Sequence, residues 1–154
     1  PPFGLQASPP LEIRDDQGRM LRLRGYIDRV DVDENGRLRI IDYKSSHTPI
    51  AAGALAEGKR IQLALYALAA RDALDLGEPA AGMYWHIGSA KPSSLRLEKQ
   101  DGGVEAALET AKDYALSYAA AIRQGHFTPK PPDSGCPAWC PAADFCWRYT
   151  PREY

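Results

Sequence analysis

No cysteine precedes Cys136, and the three that the chain has fall within residues 136–146. An odd count crowded into one short segment argues against a disulfide framework and for a metal site or a partner thiol elsewhere. Long apolar runs are missing too, since no stretch approaches the roughly 18 residues that a membrane span needs. The first ten residues, PPFGLQASPP, lack the basic-then-apolar layout of a signal peptide, so the chain reads as cytoplasmic, with no membrane partner. Charge of one sign is not in excess either: 19 Lys and Arg against 20 Asp and Glu leave a net charge of −1. No global field draws nucleic acid to such a chain, and any contact with DNA has to come from a local patch. Internal repeats are absent as well.

What is present suits one ordinary core. The chain has 154 residues, 44% of them hydrophobic, near the commonest domain size. After the proline-rich lead-in, LEIRDDQGRMLRLRG alternates around a turn at DDQG and predicts strand, turn, strand. Two further strands are expected over residues 20–33 and 37–45 around DENG, followed by a helix from about Leu55 to Leu76 closed by Gly77. AAGMYWHIG and SLRLEK predict two more strands, and a second helix spans about Val104 to Arg123 and stops at Gly125. The remainder, HFTPKPPDSGCPAWCPAADFCWRYTPREY, is rich in proline and has little periodicity. Strands, a helix, more strands and a helix imply an α/β or α+β layered domain with a mixed sheet.

The stretch GYIDRVDVDENGRLRIIDYKSS, residues 25–46, places Asp28, Asp31, Asp42 and Lys44 in a hairpin that is otherwise largely apolar. Its register decides which of these charges meet. A two-residue Asn-Gly loop sends Asp28 and Asp42 to opposite faces and sets Val32 against Arg39. A three-residue loop, with Gly36 as a left-handed bulge, pairs Val32 with Leu38, Val30 with Ile40, Asp28 with Asp42 and Tyr26 with Lys44 on one face. Asp31 then meets Arg39 on the other. This second register is preferred, because it gathers the apolar residues into one cluster and gives Asp31 a cationic neighbour.

Two carboxylates directly opposite each other repel and raise each other's pKa unless a cation lies between them. A hard divalent ion with oxygen ligands, Mg²⁺ or Mn²⁺, removes that conflict and adds a Lewis acid. Lys44 can then neutralise charge developing on a phosphorus centre or orient an attacking water. The plainer reading of D-x-K on a strand is an edge salt-bridge ladder in which Lys44 pairs with Asp42. A second acid opposite Asp42 weighs against it.

The order G-Y-I-D-R-V-D, then I-I-D-Y-K-S-S, then Q-L-A-L-Y resembles the PD-(D/E)XK nuclease superfamily, specifically its RecB-like branch, which includes the nuclease domain of AddB-type helicase–nuclease subunits. The likeness covers about residues 3 to 147. It implies a restriction-endonuclease-like core, a mixed central β-sheet flanked by α-helices, as a single domain over residues 1–154 with a cysteine-bearing segment at 126–154. It also implies that Asp28 and Asp42 bind metal with the backbone carbonyl of Tyr43, that Lys44 is the catalytic lysine, and that Gln62 and Tyr66 form the branch's Q-x-x-x-Y helix motif. Spacing alone puts Gln62 and Tyr66 on one helix face, continued by Ala69 and Ala73, beside a core stripe of Ile61, Leu65 and Leu68. An ordinary buried tyrosine is the plainer alternative for Tyr66.

Cys136, Cys140 and Cys146 follow a C-x3-C-x5-C pattern in a segment too rich in proline and small residues to fold by burial alone. Thiolates at this spacing suit an iron–sulfur cluster or Zn²⁺. The resemblance implies a [4Fe-4S] cluster, whose fourth thiolate is expected upstream of residue 1. So is the family's early histidine or glutamate, whose absence from this chain weighs against activity of the chain in isolation. Zn²⁺ with His126 as fourth ligand, or free buried cysteines, are the alternatives. His47 lies on a loop within reach of DNA, whereas His86 reads as a satisfied core histidine. Arg22, Arg24, Lys59, Arg60 and Lys130 are candidate phosphate contacts or solvated surface. The implied activity is Mg²⁺- or Mn²⁺-dependent exonucleolytic hydrolysis, chiefly of single-stranded DNA, with a helicase as partner in repair and recombination. The alternative is a non-catalytic DNA-binding or scaffolding module that keeps the fold, and a third is a related enzyme acting on RNA.

Overall fold

The computed structural model describes residues 1–5, 7–132 and 135–151. Contacts divide the chain into two compact units, Pro1–Ala119 and Ala120–Tyr154. In the first unit, β1 (Pro2–Phe3) pairs with β4 (Gly25–Tyr26), and β2 (Leu11–Arg14) pairs with β3 (Met20–Leu23). The main sheet has β5 (Arg29–Val32), β6 (Arg37–Lys44), β7 (Glu78–His86) and β8 (Lys91–Arg96) in that order. β6 and β7 run parallel and the outer pairs antiparallel, so the sheet is mixed, as expected. The parallel crossover carries α1 (Gln62–Leu68), and α2 (Gly103–Arg123) follows the sheet. Leu63, Ala64, Ala67 and Leu68 of α1 join Leu38 and Ile40 of β6, Tyr84 of β7 and Leu108 and Ala111 of α2 in one buried core. These elements make the expected α/β fold.

Both hairpins close with the same chemistry. In D-D-Q-G-R and D-E-N-G-R the leading aspartate accepts two backbone N–H bonds and an arginine Nε–H, at Asp15 from Gln17 and Arg19 and at Asp33 from Asn35 and Arg37. Gly18 and Gly36 hold left-handed φ values of 74° and 73°. The second turn fixes the β5–β6 register: Arg29 pairs with Ile41, Val30 with Ile40, Asp31 with Arg39 and Val32 with Leu38. The three-residue loop is therefore the one used.

Two expected elements differ. A single strand over residues 20–33 does not form: it divides into β3, β4 and β5, because Tyr26 pairs with Pro2 of β1 and not with Lys44. The helix expected from Leu55 begins only at Gln62. A short 3-10 turn over Ala52–Ala54 ends in a Schellman closure, in which Lys59 N–H bonds to the Ala54 carbonyl and Gly58 N–H to the Leu55 carbonyl. Gly58 has φ 72°, and a Cβ there would lie 2.3 Å from the Tyr118 hydroxyl. Tyr114 and Tyr118 of α2 secure this turn by donating to the carbonyls of Ala56 and Gly58. Past α1 the helix widens into a π turn at Ala69–Ala73.

Gly77 joins this helix to β7 at φ 135°, and a Cβ there would stand 2.0 Å from the backbone oxygen of Gly36. That oxygen also accepts the Glu78 N–H, so the contact cannot relax without loss of the β6–β7 entry. Gly77→Ala is expected to destabilise the fold by about 2–4 kcal/mol, measured by urea denaturation.

In the second unit Gly125, at φ 73°, caps the helix with His126 N–H bonded to the Ala121 carbonyl. Beyond it, among the described residues, only short turns and one bridge, Cys136 with Pro151, give regular structure.

Candidate active site

The site forms where β5 leaves β6. The ladder ends at the Arg29–Ile41 pair, and Asp28, one residue before β5, turns its carboxylate back so that Oδ2 accepts the Tyr43 N–H at 2.9 Å. Backbone N–H and C=O groups of one residue point to the same side of a strand, so the Tyr43 carbonyl also faces the side that β5 has left. Lys44, the next residue, faces the other way, and its carbonyl accepts the Ile87 N–H beyond β7. Asp28 and the backbone of Tyr43 thus meet at the sheet edge, next along the chain to Asp42.

Asp42 is 3% exposed on a central strand, while Asp28 is exposed. Burial pushes the Asp42 carboxyl above the ordinary carboxylate range, the Lys44 ammonium opposes this, and the Asp28 charge adds to it. Lys44 Nζ lies 2.5 Å from Asp42 Oδ2, as an ion pair without directed hydrogen-bond geometry, and that oxygen is a buried acceptor with no hydrogen-bond partner. The pair foreseen by the plainer reading does form, but it is buried in the sheet and does not belong to an edge ladder. A buried, unsatisfied carboxylate oxygen beside a second carboxylate and an outward carbonyl fits a hard divalent cation.

Lys44 is held from two other sides. Its Nζ donates to Gln62 Oε1 at 2.9 Å, and it sits 5.1 Å from the ring centroid of Tyr84. Gln62 Nε2 donates in turn to the Tyr66 hydroxyl at 2.8 Å. Because α1 starts at Gln62, that side chain projects from the first turn toward β6. Tyr84 sets the starting point: its hydroxyl accepts the Leu63 N–H, one of the orphan donors of the helix end. Burial raises the Tyr84 phenol to about 12, so it stays protonated. The Tyr66 phenol is raised by burial too, against its bond from Gln62, and the charges of Asp42 and Asp28 add to the rise. Phe3 packs edge-on against Tyr66 with centroids 6.1 Å apart.

The structure therefore brings Asp28, Asp42, Lys44, Gln62 and Tyr66 together. Tyr84 was missed by sequence reasoning, although Gly82, Tyr84 and His86 are the inward set of β7, and a tyrosine there carries a hydroxyl into the core. The face assignment of Asp31 holds, but its ion pair at 2.7 Å is with Arg29 of its own strand, not with Arg39. Two residues apart on one strand, their side chains share a face. The buried stripe of α1 is Leu63, Ala64, Ala67 and Leu68, so that of the expected Ile61, Leu65 and Leu68 only Leu68 is fully buried, while Ile61 and Leu65 pack half-buried against the edge of the core. His86 is buried, with Nδ1 against the Ser46 carbonyl and Nε2 against Ser93 Oγ, both at 2.6 Å. His47 is exposed on its loop, and so is His126. Cys136 is buried, Cys140 and Cys146 are half-buried, and all three are free thiols. Among the described residues no group of three or more His, Cys, Asp or Glu side chains converges as a metal site. In this conformation the three thiols do not make a cluster cradle by themselves.

A family model described as the PD-(D/E)XK nuclease superfamily matches residues 2–147. The chain is similar to an ATP-dependent helicase/deoxyribonuclease subunit of Moorella thermoacetica, 36% identical over 117 residues, which are 64% of this chain and 10% of that protein. The protein of the same name from Lysinibacillus sphaericus is 31% identical over 116 residues, 70% of this chain and 10% of its own. The Gene 69 protein of Mycobacterium phage L5 is 33% identical over 120 residues, 75% of this chain and 37% of its own. The chain spans about a tenth of the two helicase/deoxyribonuclease relatives. With the family match covering nearly all of it and the D…D-x-K face built as described, the chain belongs to the PD-(D/E)XK nuclease superfamily, as a RecB-like nuclease domain.

Proposed function

We propose that this domain is a divalent-metal-dependent deoxyribonuclease that hydrolyses phosphodiester bonds, preferentially in single-stranded DNA, within a larger helicase–nuclease acting in DNA repair and recombination in the cytoplasm. The observation that carries this reading is the buried Asp42 oxygen, which has no hydrogen-bond partner, is ion-paired with Lys44 and feels the charge of Asp28. Asp28, Asp42 and the Tyr43 carbonyl would hold Mg²⁺ or Mn²⁺, which when bound supplies Lewis acidity to a phosphoryl oxygen. Lys44 places a positive charge against the negative charge that grows on the phosphoryl oxygens as water attacks and the leaving oxygen departs. Gln62, anchored by Tyr66, fixes the Lys44 ammonium, and Tyr84 beneath it limits where the stem can swing. Asp28 ties its carboxylate to the strand through Tyr43, which keeps the two acids in register.

The names of the two helicase/deoxyribonuclease relatives support DNA as substrate and a helicase as partner. For the second unit we propose a [4Fe-4S] cluster in the full-length protein, with Cys136, Cys140 and Cys146 joined by a fourth thiolate from outside this chain. The three thiolates lie within eleven residues in a segment with little other regular structure. The test of the nuclease reading is cleavage of labelled single-stranded DNA by the full-length protein. Turnover that starts with Mn²⁺ or Mg²⁺ and stops with EDTA is expected, and undiminished cleavage in EDTA refutes metal dependence.

A further inference from the structure

Next to Lys44 a cleft of about 310 Å³, which Asp28 and Asp42 do not line, opens within the first unit. Its polar lining is Lys44, Ser46, Thr48, Lys59 and Arg60, three cations and two hydroxyl residues, with no carboxylate among the lining residues. Its floor is small and apolar, with Ile50 and Ala54 among the lining. Elsewhere in this unit several surface cations are neutralised, Arg14 and Arg22 by Glu12, Arg19 by Asp15, Arg37 by Asp33 and Lys112 by Glu109, whereas Arg24, Arg39, Lys91 and Lys99 are cations outside this cleft. Lys59 pairs with Glu57, both well exposed, but Arg60 makes no ion pair among the described residues. The Schellman turn at Gly58 explains the placement, because it ends the preceding helical turn and directs Lys59 and Arg60 toward the entrance of α1.

We propose that this cleft is the seat of the backbone phosphate next to the scissile one, with Arg60 as its principal contact and Lys59, Ser46 and Thr48 around it. The inference rests on the nuclease reading and adds the path of the strand: from the acid pair, past Lys44, into the cationic cleft. A cleft lined by one sign of charge and floored by apolar groups concentrates an anion and shields it from water. The space suits one phosphate with part of its sugar. Phosphate contacts position a strand without reading its sequence, so the cleft sets register relative to the cut and not base preference.

The test measures binding separately from hydrolysis. Fluorescence anisotropy of a labelled oligo-dT is followed across a salt series in EDTA, where no cleavage is expected, using the full-length protein. Arg60→Ala is expected to weaken binding roughly tenfold and to reduce the salt slope by about 0.7, one single-strand phosphate contact. Ala54→Leu, which fills the floor without changing charge, is expected to weaken binding as well. Arg14→Ala, an exposed arginine outside the cleft, serves as the charge control and is expected to change neither. A single neutral methylphosphonate walked along the strand in the presence of metal is expected to slow cleavage most at the linkage adjoining the cut, and Arg60→Ala is expected to abolish that sensitivity. An unchanged slope and affinity in Arg60→Ala overturns the cleft assignment, as does an equal loss in Arg14→Ala. If the salt slope responds as expected but no metal-dependent cleavage occurs, the nuclease reading fails and the strand path survives as a binding track.

Discussion

Asp42→Asn is expected to abolish metal-dependent cleavage, by at least ~10³-fold in rate, while leaving the metal-free protein as stable as the parent or more so. The two effects share one cause. Burial raises the Asp42 carboxyl above its ordinary range. A carboxyl raised in the folded state favours folding when protonated, so its contribution is complete below the unfolded pKa and is lost as pH rises through the folded one. At neutral pH the ionised Asp42 therefore costs stability, and the neutral amide removes that cost. Thermal melts in EDTA at pH 7 are expected to place the variant level with the parent or a few degrees above it, with the difference vanishing in acid. With Mn²⁺ the order reverses, because only the parent is stabilised by a bound ion. A variant that is markedly destabilised without metal would show Asp42 to be structural.

Lys44→Ala is expected to lower the cleavage rate by roughly 10²–10³-fold with much less change in DNA affinity, because its charge matters most where negative charge develops. It removes the cation that holds the Asp42 carboxyl down, so that carboxyl rises further. The acid limb of the rate–pH profile accordingly moves to higher pH. Lys44→Arg is not expected to rescue, since the larger fork has to fit between Gln62 Oε1, Asp42 Oδ2 and the Tyr84 ring, each of which meets the ammonium in the parent. Rates and pH profiles of the two variants separate a charge effect from a fold effect. A pH profile that does not move would remove the electrostatic coupling of Lys44 to Asp42.

The hairpin was the most legible part of the sequence, because its register is set locally. D-E-N-G-R contains the aspartate that caps its own turn and the glycine that takes the left-handed bulge, and a one-residue slip would have exposed Leu38 and Ile40. The shared face of Asp42 and Lys44 followed from that register, but the expected cross-strand pairing of Asp28 with Asp42 does not form, since the ladder ends at Arg29–Ile41 and Asp28 bonds to the Tyr43 N–H. What was not legible depends on distant partners. Nothing local in residues 20–33 shows that Pro2–Phe3 will pair with Gly25–Tyr26 and hold the chain away from β6 before Arg29, yet that divergence leaves the Tyr43 N–H to the Asp28 carboxylate. The helix start was misplaced because Ala54–Leu55–Ala56 have good helix propensity, whereas the break comes from Gly58 packed against two tyrosines sixty residues on. Lys59 and Arg60 looked like scattered charge for the same reason: only that break turns them toward Lys44.

Everything proposed for the site requires one divalent ion at the Asp28–Asp42 face, and binding of Mn²⁺ itself tests this without recourse to activity. Titration of the protein into Mn²⁺, followed by loss of the free-ion electron paramagnetic resonance signal, is predicted to show a site on the parent that Asp42→Asn lacks and Asp31→Asn keeps. Equal Mn²⁺ binding by the parent and Asp42→Asn would contradict it.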